Sequence, residues 1–190
     1  MTLWESTLNH LKNNVKGFEL KIKEESKGQR LIAKLTFWND YMKMWTTLYP
    51  KVYKPKLAKE KVDVLQHEMV HLLDAETLFG KSSKKLKYLN VFLFSFLYAC
   101  PQILVAFSLL AFINPLWLLC LVFALPLPAP FRALAEARAY KRSIELGGNE
   151  ELVIRNFKNS KYYWMLPSTK LIKKMLSKPS PYKELMDSFK

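Results

Sequence analysis

The chain contains little cysteine: among its 190 residues there are only two, Cys100 and Cys120, and both stand in its most apolar stretch. Two cysteines without a spaced framework exclude a disulfide scaffold and a cysteine-based zinc site. We therefore expect the polar parts of the chain to lie in a reducing compartment.

The first residues lack the basic patch, apolar run and small-residue cleavage site of a secretory signal. Thr2 and Glu5 instead have the spacing of a capping box, which opens a helix. Apolar residues follow at helical spacing until Gly17. The start of the chain therefore predicts an amphipathic helix.

Acidic residues are also few, 16 against 30 Lys and Arg, which gives a formal net charge of +14. Such a charge favours an anionic partner, either lipid headgroups or nucleic acid. No basic helix and no RNA-type aromatic motif is present, so we expect no specific nucleic-acid partner.

Histidine is scarce, with three in the whole chain, yet two of them stand four residues apart in the stretch His67-Glu68-Met69-Val70-His71. Residues four apart share one face of a helix, so both imidazoles can bind one Zn²⁺ while Glu68 acts as the catalytic base on a bound water. With so few histidines, chance seldom produces this pattern. The alternative is a pair of core histidines that bind no metal.

Such a site needs a third protein ligand. In enzymes with an extended motif a glycine follows, and the third ligand stands six residues past the second histidine. Here those positions hold Asp74 and Thr77, so this arrangement is excluded. Asp74 shares the helical face of His67 and His71 and is expected either to orient an imidazole or to be a solvated or capping aspartate.

The third ligand is expected from a later helix, and Glu136 is the best candidate. Small residues around it would permit close approach to the first helix, namely Ala133, Ala135, Ala137 and Ala139. Arg132 and Tyr140 stand one turn away on either side and could steady the ligand or polarise a substrate carbonyl. The alternative is that Glu136 forms an ordinary ion pair with Arg132 or a hydrogen bond with Tyr140.

Three extended stretches predict a small antiparallel sheet. Residues 18–23 alternate between apolar and polar, and residues 30–38 follow after a turn at Gly28, which predicts a hairpin. The stretch 44–53 includes Trp45, Thr46 and Thr47, but Pro50 would restrict it to a sheet edge. This edge strand either pairs with a substrate peptide or simply completes the sheet.

An apolar block of 44 residues, 88–131, contains no charge. As one helix it would be about 66 Å long, near twice the bilayer core, so we expect a transmembrane helical hairpin that turns at Asn114-Pro115. Basic residues on both sides place both ends in the cytoplasm. They are Lys81, Lys84, Lys85 and Lys87 before the block, and Arg132, Arg138, Lys141 and Arg142 after it. The alternative is a buried helical hairpin in a soluble protein or oligomer.

These patterns predict an α+β fold in three parts. Residues 1–87 form one half of a metallopeptidase domain with the zinc helix, residues 88–131 form the transmembrane hairpin, and residues 132–190 form the other half with the third-ligand helix and a basic tail.

The chain resembles the gluzincin metallopeptidases, particularly the HtpX-like membrane group, through the motif from His67 to His71 and the downstream helix with Glu136. It is also similar to uncharacterised metallopeptidases encoded by tailed phages, through the run from Glu136 to Tyr140 after an apolar insertion. The resemblance implies zincin-type helices and a zinc ion held by two histidines and a glutamate. It also implies Glu68 as general base in an endopeptidase that acts on proteins.

We therefore predict a membrane-associated zinc endopeptidase whose catalytic part faces the cytoplasm, with a protein or peptide substrate and the lipid bilayer as partners. The alternative is a non-catalytic, membrane-inserting structural or pore component of a larger assembly, such as a phage particle, that retains a zinc site for stability.

Overall fold

The computed structural model describes all residues except 37–39, 125–126, 160–164, 167 and 190. The described part has an α+β fold, mostly helical with one small sheet. Its α-helices and strands are α1 (Leu3–Asn14), β1 (Glu19–Ile22), α2 (Lys27–Thr36), β2 (Thr46–Leu48), β3 (Lys51–Lys54), α3 (Val62–Thr77), α4 (Lys87–Ala99), α5 (Pro130–Glu145), α6 (Glu150–Lys158), α7 (Thr169–Leu176) and α8 (Lys183–Asp187). Short 3₁₀ helices cover Lys23–Glu25, Tyr41–Lys43 and Lys84–Leu86.

Helix α1 begins at the predicted capping box. The Thr2 hydroxyl accepts a hydrogen bond from the Glu5 amide at 3.2 Å, and the Glu5 carboxylate accepts one from the Thr2 amide at 2.7 Å. These bonds satisfy amides that have no partner within the helix. Leu11 is buried in the core, so the predicted amphipathic helix is confirmed.

The sheet is mixed, so the prediction of an antiparallel sheet is wrong. The strand order is β1-β3-β2, with β1 parallel to β3 and β2 antiparallel to β3. The buried Val52 lies at the centre, opposite Leu20 on one side and Thr47 on the other. The predicted stretch 44–53 contains two strands, because the chain turns at Tyr49-Pro50. β2 forms an edge of the described sheet.

The predicted hairpin is also wrong, because residues 30–36 belong to α2 and not to a strand. The Ser26 hydroxyl accepts a hydrogen bond from the Gln29 amide at 3.3 Å, which is the interaction that starts a helix. Gly28 lies within the first turn of α2. The last two residues of the predicted strand, Phe37 and Trp38, lie outside the described residues.

Helices α3 and α5 form the centre of the molecule. Every residue from Leu65 to Glu76 of α3 is buried, and α3 packs against α5. The alanines of α5 at positions 133, 135, 137 and 139 are at most 1% exposed, as expected for a close helix contact. Around them lie α1, β3 and α8, which share one apolar core with α3.

The apolar block begins inside this helical core. Helix α4 packs on α3, with Phe94 and Asn90 buried. The Asn90 amide donates to the carbonyl oxygens of Glu76 (2.8 Å) and Ser83 (3.1 Å), which joins the start of α4 to the end of α3.

Two 3₁₀ helices follow, Gln102–Phe112 and Pro115–Ala124, which pack against each other and are called the apolar pair below. The chain turns between them at residues 113–114, where the turn is expected. At about 2.0 Å per residue they are about 22 and 20 Å long. The most exposed apolar side chains of the pair lie around this turn, between 68% and 84% exposed: Leu109, Phe112, Ile113, Leu116 and Leu119.

Within the described residues, no single helix has both the length and the apolar character to cross a membrane. Helix α4 and the first 3₁₀ helix from Ile103 onward reach that length and apolar character only when taken together, and they meet at an angle of 82°. Three basic residues expected beside a membrane form ion pairs within the protein: Lys87 with Glu76, Arg138 with Asp74, and Arg142 with Glu145 and Asp187.

Candidate metal centre

Two helices bring the three expected ligands together. His67 and His71 project from one face of α3, and Glu136 meets them from α5. The two imidazole Nε2 atoms are 3.2 Å apart. Glu136 Oε2 lies 3.4 Å from His67 Nε2, and Glu136 Oε1 lies 3.5 Å from His71 Nε2. All three residues are buried.

The spacing of these atoms fits a metal ion. With bonds of about 2.0–2.1 Å, adjacent ligand atoms of a tetrahedral zinc site lie roughly 3.3 Å apart. The nearest donor pairs here span 3.2–3.5 Å, and one ligand atom from each residue lies within 4.8 Å of the others. The buried residues His67, His71 and Glu136, called the metal group below, could therefore bind a metal ion.

The charges of Glu136 and His71 stabilise each other. Burial favours the neutral acid of Glu136, but the charge of His71 and hydrogen bonds from both imidazoles outweigh it and hold the pKa of Glu136 well below its usual range. Burial also disfavours the charged form of His71, but the charge of Glu136 outweighs it and raises the pKa of His71 to about 9. Metal binding has to displace the proton of His71.

Glu68, the expected base, follows His67 on α3 and connects the helix to the sheet. Its Oε2 accepts a hydrogen bond of 2.6 Å from the Thr47 hydroxyl on β2. Thr47 is one of the three residues expected on a substrate strand, and this contact places edge strand β2 beside the metal group.

The other two expected strand residues have contacts further from the metal group. Thr46 accepts a hydrogen bond of 2.6 Å from the buried ammonium of Lys23, and Trp45 packs edge to face against Trp4 at 6.2 Å between ring centroids. They fix β2 in place against the rest of the protein.

Asp74 does not orient an imidazole, and it is neither solvated nor a cap. Its buried carboxylate accepts two hydrogen bonds from Arg138, at 2.7 and 2.8 Å, and one from the Tyr182 hydroxyl at 2.9 Å. His71 Nδ1 is buried and has no hydrogen-bond partner within the described part of the chain. The reason is that both oxygens of the Asp74 carboxylate are engaged by Arg138 and Tyr182.

Arg132 contacts Tyr98, which itself contacts Glu136, whereas Tyr140 contacts His67 directly. The Arg132 guanidinium donates to the backbone carbonyl of Tyr98, from Nε at 3.0 Å and from Nη2 at 2.9 Å. The Tyr140 ring packs edge to face on His67, with 4.6 Å between ring centroids. Its hydroxyl accepts a long hydrogen bond of 3.4 Å from Asn156. Tyr140 therefore supports the His67 ring by packing.

Tyr98 lies at the centre and is not among the residues that the sequence predicts for the site. The Tyr98 hydroxyl donates a hydrogen bond to Glu136 Oε1, and its ring lies edge to face with His71 at 6.0 Å. Tyr98 stands in the apolar block, which was assigned to a membrane. The only available signal was a phenol hydroxyl that needs a partner in an otherwise apolar run.

No protein-family model matches the chain, no curated protein matches it in sequence, and no solved structure matches it in fold. The residues of the metal group are therefore the basis for assigning a function.

Proposed function

We propose that this chain is a zinc-dependent endopeptidase of gluzincin type, with His67, His71 and Glu136 as the zinc ligands. The observation that carries the proposal is the convergence of these three buried side chains next to Glu68, which is held against an edge strand. Two histidines and one glutamate are the ligand set of several zinc peptidases, and three protein ligands leave a position for water.

Bound zinc supplies a Lewis acid that polarises a carbonyl and lowers the pKa of a bound water to about 7. Glu68 accepts the proton of the attacking water and then delivers it to the leaving amine of the peptide bond. Thr47 orients the Glu68 carboxylate by donating to Oε2, which leaves Oε1 available for the water.

Peptides are the proposed substrate class because of β2. Its outer edge carries no partner strand within the described residues, so an extended peptide can add to it by backbone hydrogen bonds. Because Thr47 lies on β2 and contacts Glu68, a peptide bound there runs beside the proposed base.

Glu68→Gln tests the chemistry. The variant should retain one zinc per chain and lose at least about 100-fold in cleavage of a quenched fluorescent peptide library in detergent, because the amide cannot accept the proton. Glu76→Gln is the matched control, since Glu76 is also buried on α3 but contacts Tyr49 and Lys87. Full activity of Glu68→Gln would exclude this mechanism.

We also propose that the apolar pair binds a lipid bilayer and that both of its ends lie on the cytoplasmic side. The support is an exposed apolar surface around residues 113–114 in a block without charge. Since each 3₁₀ helix is about 20 Å long and the bilayer core is about 30 Å thick, the pair reaches into the core from one side.

Liposome flotation tests this binding. Phe112→Asp with Leu116→Asp should abolish flotation and release the protein from membranes at alkaline pH, because both charges would enter hydrocarbon. Leu152→Asp is the control, since Leu152 is an exposed leucine of α6, outside the apolar pair. Equal flotation of both proteins would exclude the proposed surface. Retained flotation with no peptidase activity in the wild type would favour the non-catalytic membrane component.

A further inference from the structure

Tyr98 connects the apolar block to the metal group. It lies in the last turn of α4, where its ring stacks on Phe94 and meets the edge of His71. Its hydroxyl donates to Glu136 Oε1. Tyr98 is therefore held against two of the three proposed ligands.

Arg132 fixes the backbone of Tyr98. The guanidinium donates twice to the Tyr98 carbonyl and lies 5.0 Å from the centre of the Tyr98 ring. A cation at the end of α4 is favoured by the helix dipole. Because Arg132 stands one turn before Glu136 on α5, the helix that carries the ligand also positions the tyrosine that contacts it.

The two oxygens of Glu136 have different surroundings. Each oxygen faces one imidazole nitrogen, Oε2 at 3.4 Å from His67 Nε2 and Oε1 at 3.5 Å from His71 Nε2. Oε1 also accepts the hydrogen bond from Tyr98, and this bond distinguishes the two oxygens. A hydroxyl that donates to one carboxylate oxygen reduces the electron density available there for a metal. The other oxygen then becomes the better ligand.

We propose that Tyr98 is a positioning residue that restricts Glu136 to coordination of the metal through a single oxygen, Oε2. Coordination through both oxygens would occupy the position that water needs, so this restriction keeps that position open. The inference rests on the proposed zinc site and assigns to the apolar block a direct part in its chemistry.

Tyr98→Phe removes the hydroxyl and keeps the ring. Zinc affinity, measured by competition with a chromogenic chelator, should fall about 10- to 100-fold, as is typical when a group behind a metal ligand is lost. In the cobalt-substituted protein the visible absorption bands should weaken, because cobalt with more ligands absorbs less than tetrahedral cobalt.

Tyr49→Phe is the matched control. The Tyr49 hydroxyl also donates to a buried glutamate, Glu76, at 2.7 Å, but that glutamate is outside the metal group. Its zinc affinity and cobalt spectrum should equal those of the wild type. If Tyr98→Phe gives the same affinity and spectrum as Tyr49→Phe, the proposed role of Tyr98 is wrong.

Circular dichroism checks that each variant is folded. If Tyr98→Phe does not fold, Arg132→Lys gives a second test, because lysine keeps the charge but loses the two-point contact with the Tyr98 carbonyl. Arg132→Lys should also lower the zinc affinity, and an unchanged affinity would overturn the inference. A wild type that binds zinc without cleaving peptides overturns only the peptidase, whereas one that binds no zinc overturns both proposals.

Discussion

Glu136 remains ionised inside the protein because its neighbours offset the cost of burial. A buried carboxylate without partners would take up a proton. Here two imidazole nitrogens lie within 3.5 Å and the Tyr98 hydroxyl donates to the same group. The arrangement keeps a negative charge available where a cation would bind.

Glu136→Gln should therefore lose the metal. An amide carries no charge and is a poor zinc ligand, so we expect zinc content to fall from about one per chain to below about 0.1 after dialysis against a weak chelator. Elemental analysis by mass spectrometry measures this content. Glu150→Gln, an exposed position at the start of α6, should retain zinc, and unchanged zinc in Glu136→Gln would remove this residue from the ligand set.

Lys23 is another buried charged residue, far from the ligands in sequence. Its ammonium donates to the carbonyl oxygens of Tyr41 (2.7 Å) and Met44 (2.9 Å) and lies 3.6 Å from the centre of the Tyr41 ring. Burial lowers the pKa of Lys23 to about 8, and the negative charges of Glu68 and Glu24 offset this only in part.

This lowered pKa predicts a pH dependence of stability. Below about pH 8 Lys23 is charged in both the folded and unfolded chain, whereas between about pH 8 and 10.5 the unfolded chain holds more protons. The contribution of Lys23 to the free energy of unfolding should then rise with pH. In urea unfolding at pH 7, 9 and 10, the free energy of unfolding of the wild type should rise with pH relative to that of Lys23→Met. Burial raises the pKa of Tyr41, so its ring stays neutral through much of this range. Parallel curves for the two proteins would contradict the prediction.

At the scale of helices and strands, the contact between α3 and α5 holds the metal group together. Arg138 on α5 pairs with the fully buried Asp74 on α3, and Arg142 on α5 donates to Gln66 on α3 at 2.6 Å. One ion pair and one hydrogen bond therefore fix α5 to α3 at positions on either side of His67 and His71.

Arg138→Met should cost about 3–5 kcal/mol of unfolding free energy, because among the described residues it leaves the buried Asp74 carboxylate with the Tyr182 hydroxyl as its one remaining side-chain donor. The double variant Asp74→Leu with Arg138→Met should recover a large part of this loss, since no buried charge remains. Urea denaturation measures both. A double variant less stable than Arg138→Met alone would show that the pair stabilises the helices by more than mutual neutralisation.

Local patterns in the sequence predicted the helices of the site well. His67, Glu68 and His71 lie on α3, as their spacing predicts, and the alanines around Glu136 are buried where α5 packs against α3. The sheet was harder to predict, because β1 pairs with a strand about 30 residues later and residues between them form α2. Such pairing depends on distant contacts that no local periodicity reports.

Tyr98 could not be assigned for a similar reason. Its role depends on contacts with Glu136 and Arg132, which come from the far side of the apolar block. Residues 88–99 have the apolar composition of part of a membrane helix, and the packing of α4 on α3, which the sequence alone does not show, assigns them to the protein core.

For the whole molecule, metal binding should be coupled to folding, because the three ligands meet only in the folded chain. Zinc present at about 1,000 times its dissociation constant should add about 4 kcal/mol to the free energy of unfolding. Calorimetry with zinc and with chelator measures the shift in Tm. His71→Ala should show little or no zinc-dependent shift, and an equal shift in that variant would place the binding elsewhere.

The position of the apolar block between the ligands also affects synthesis. His67 and His71 leave the ribosome first, and Glu136 follows 65 residues later, after the whole apolar block. A nascent chain that stops within this block holds two of the three donors and no completed binding site. The proposed cleavage activity therefore cannot arise before the apolar segment has emerged, so the order of translation itself delays the proposed activity until the proposed membrane contact is available.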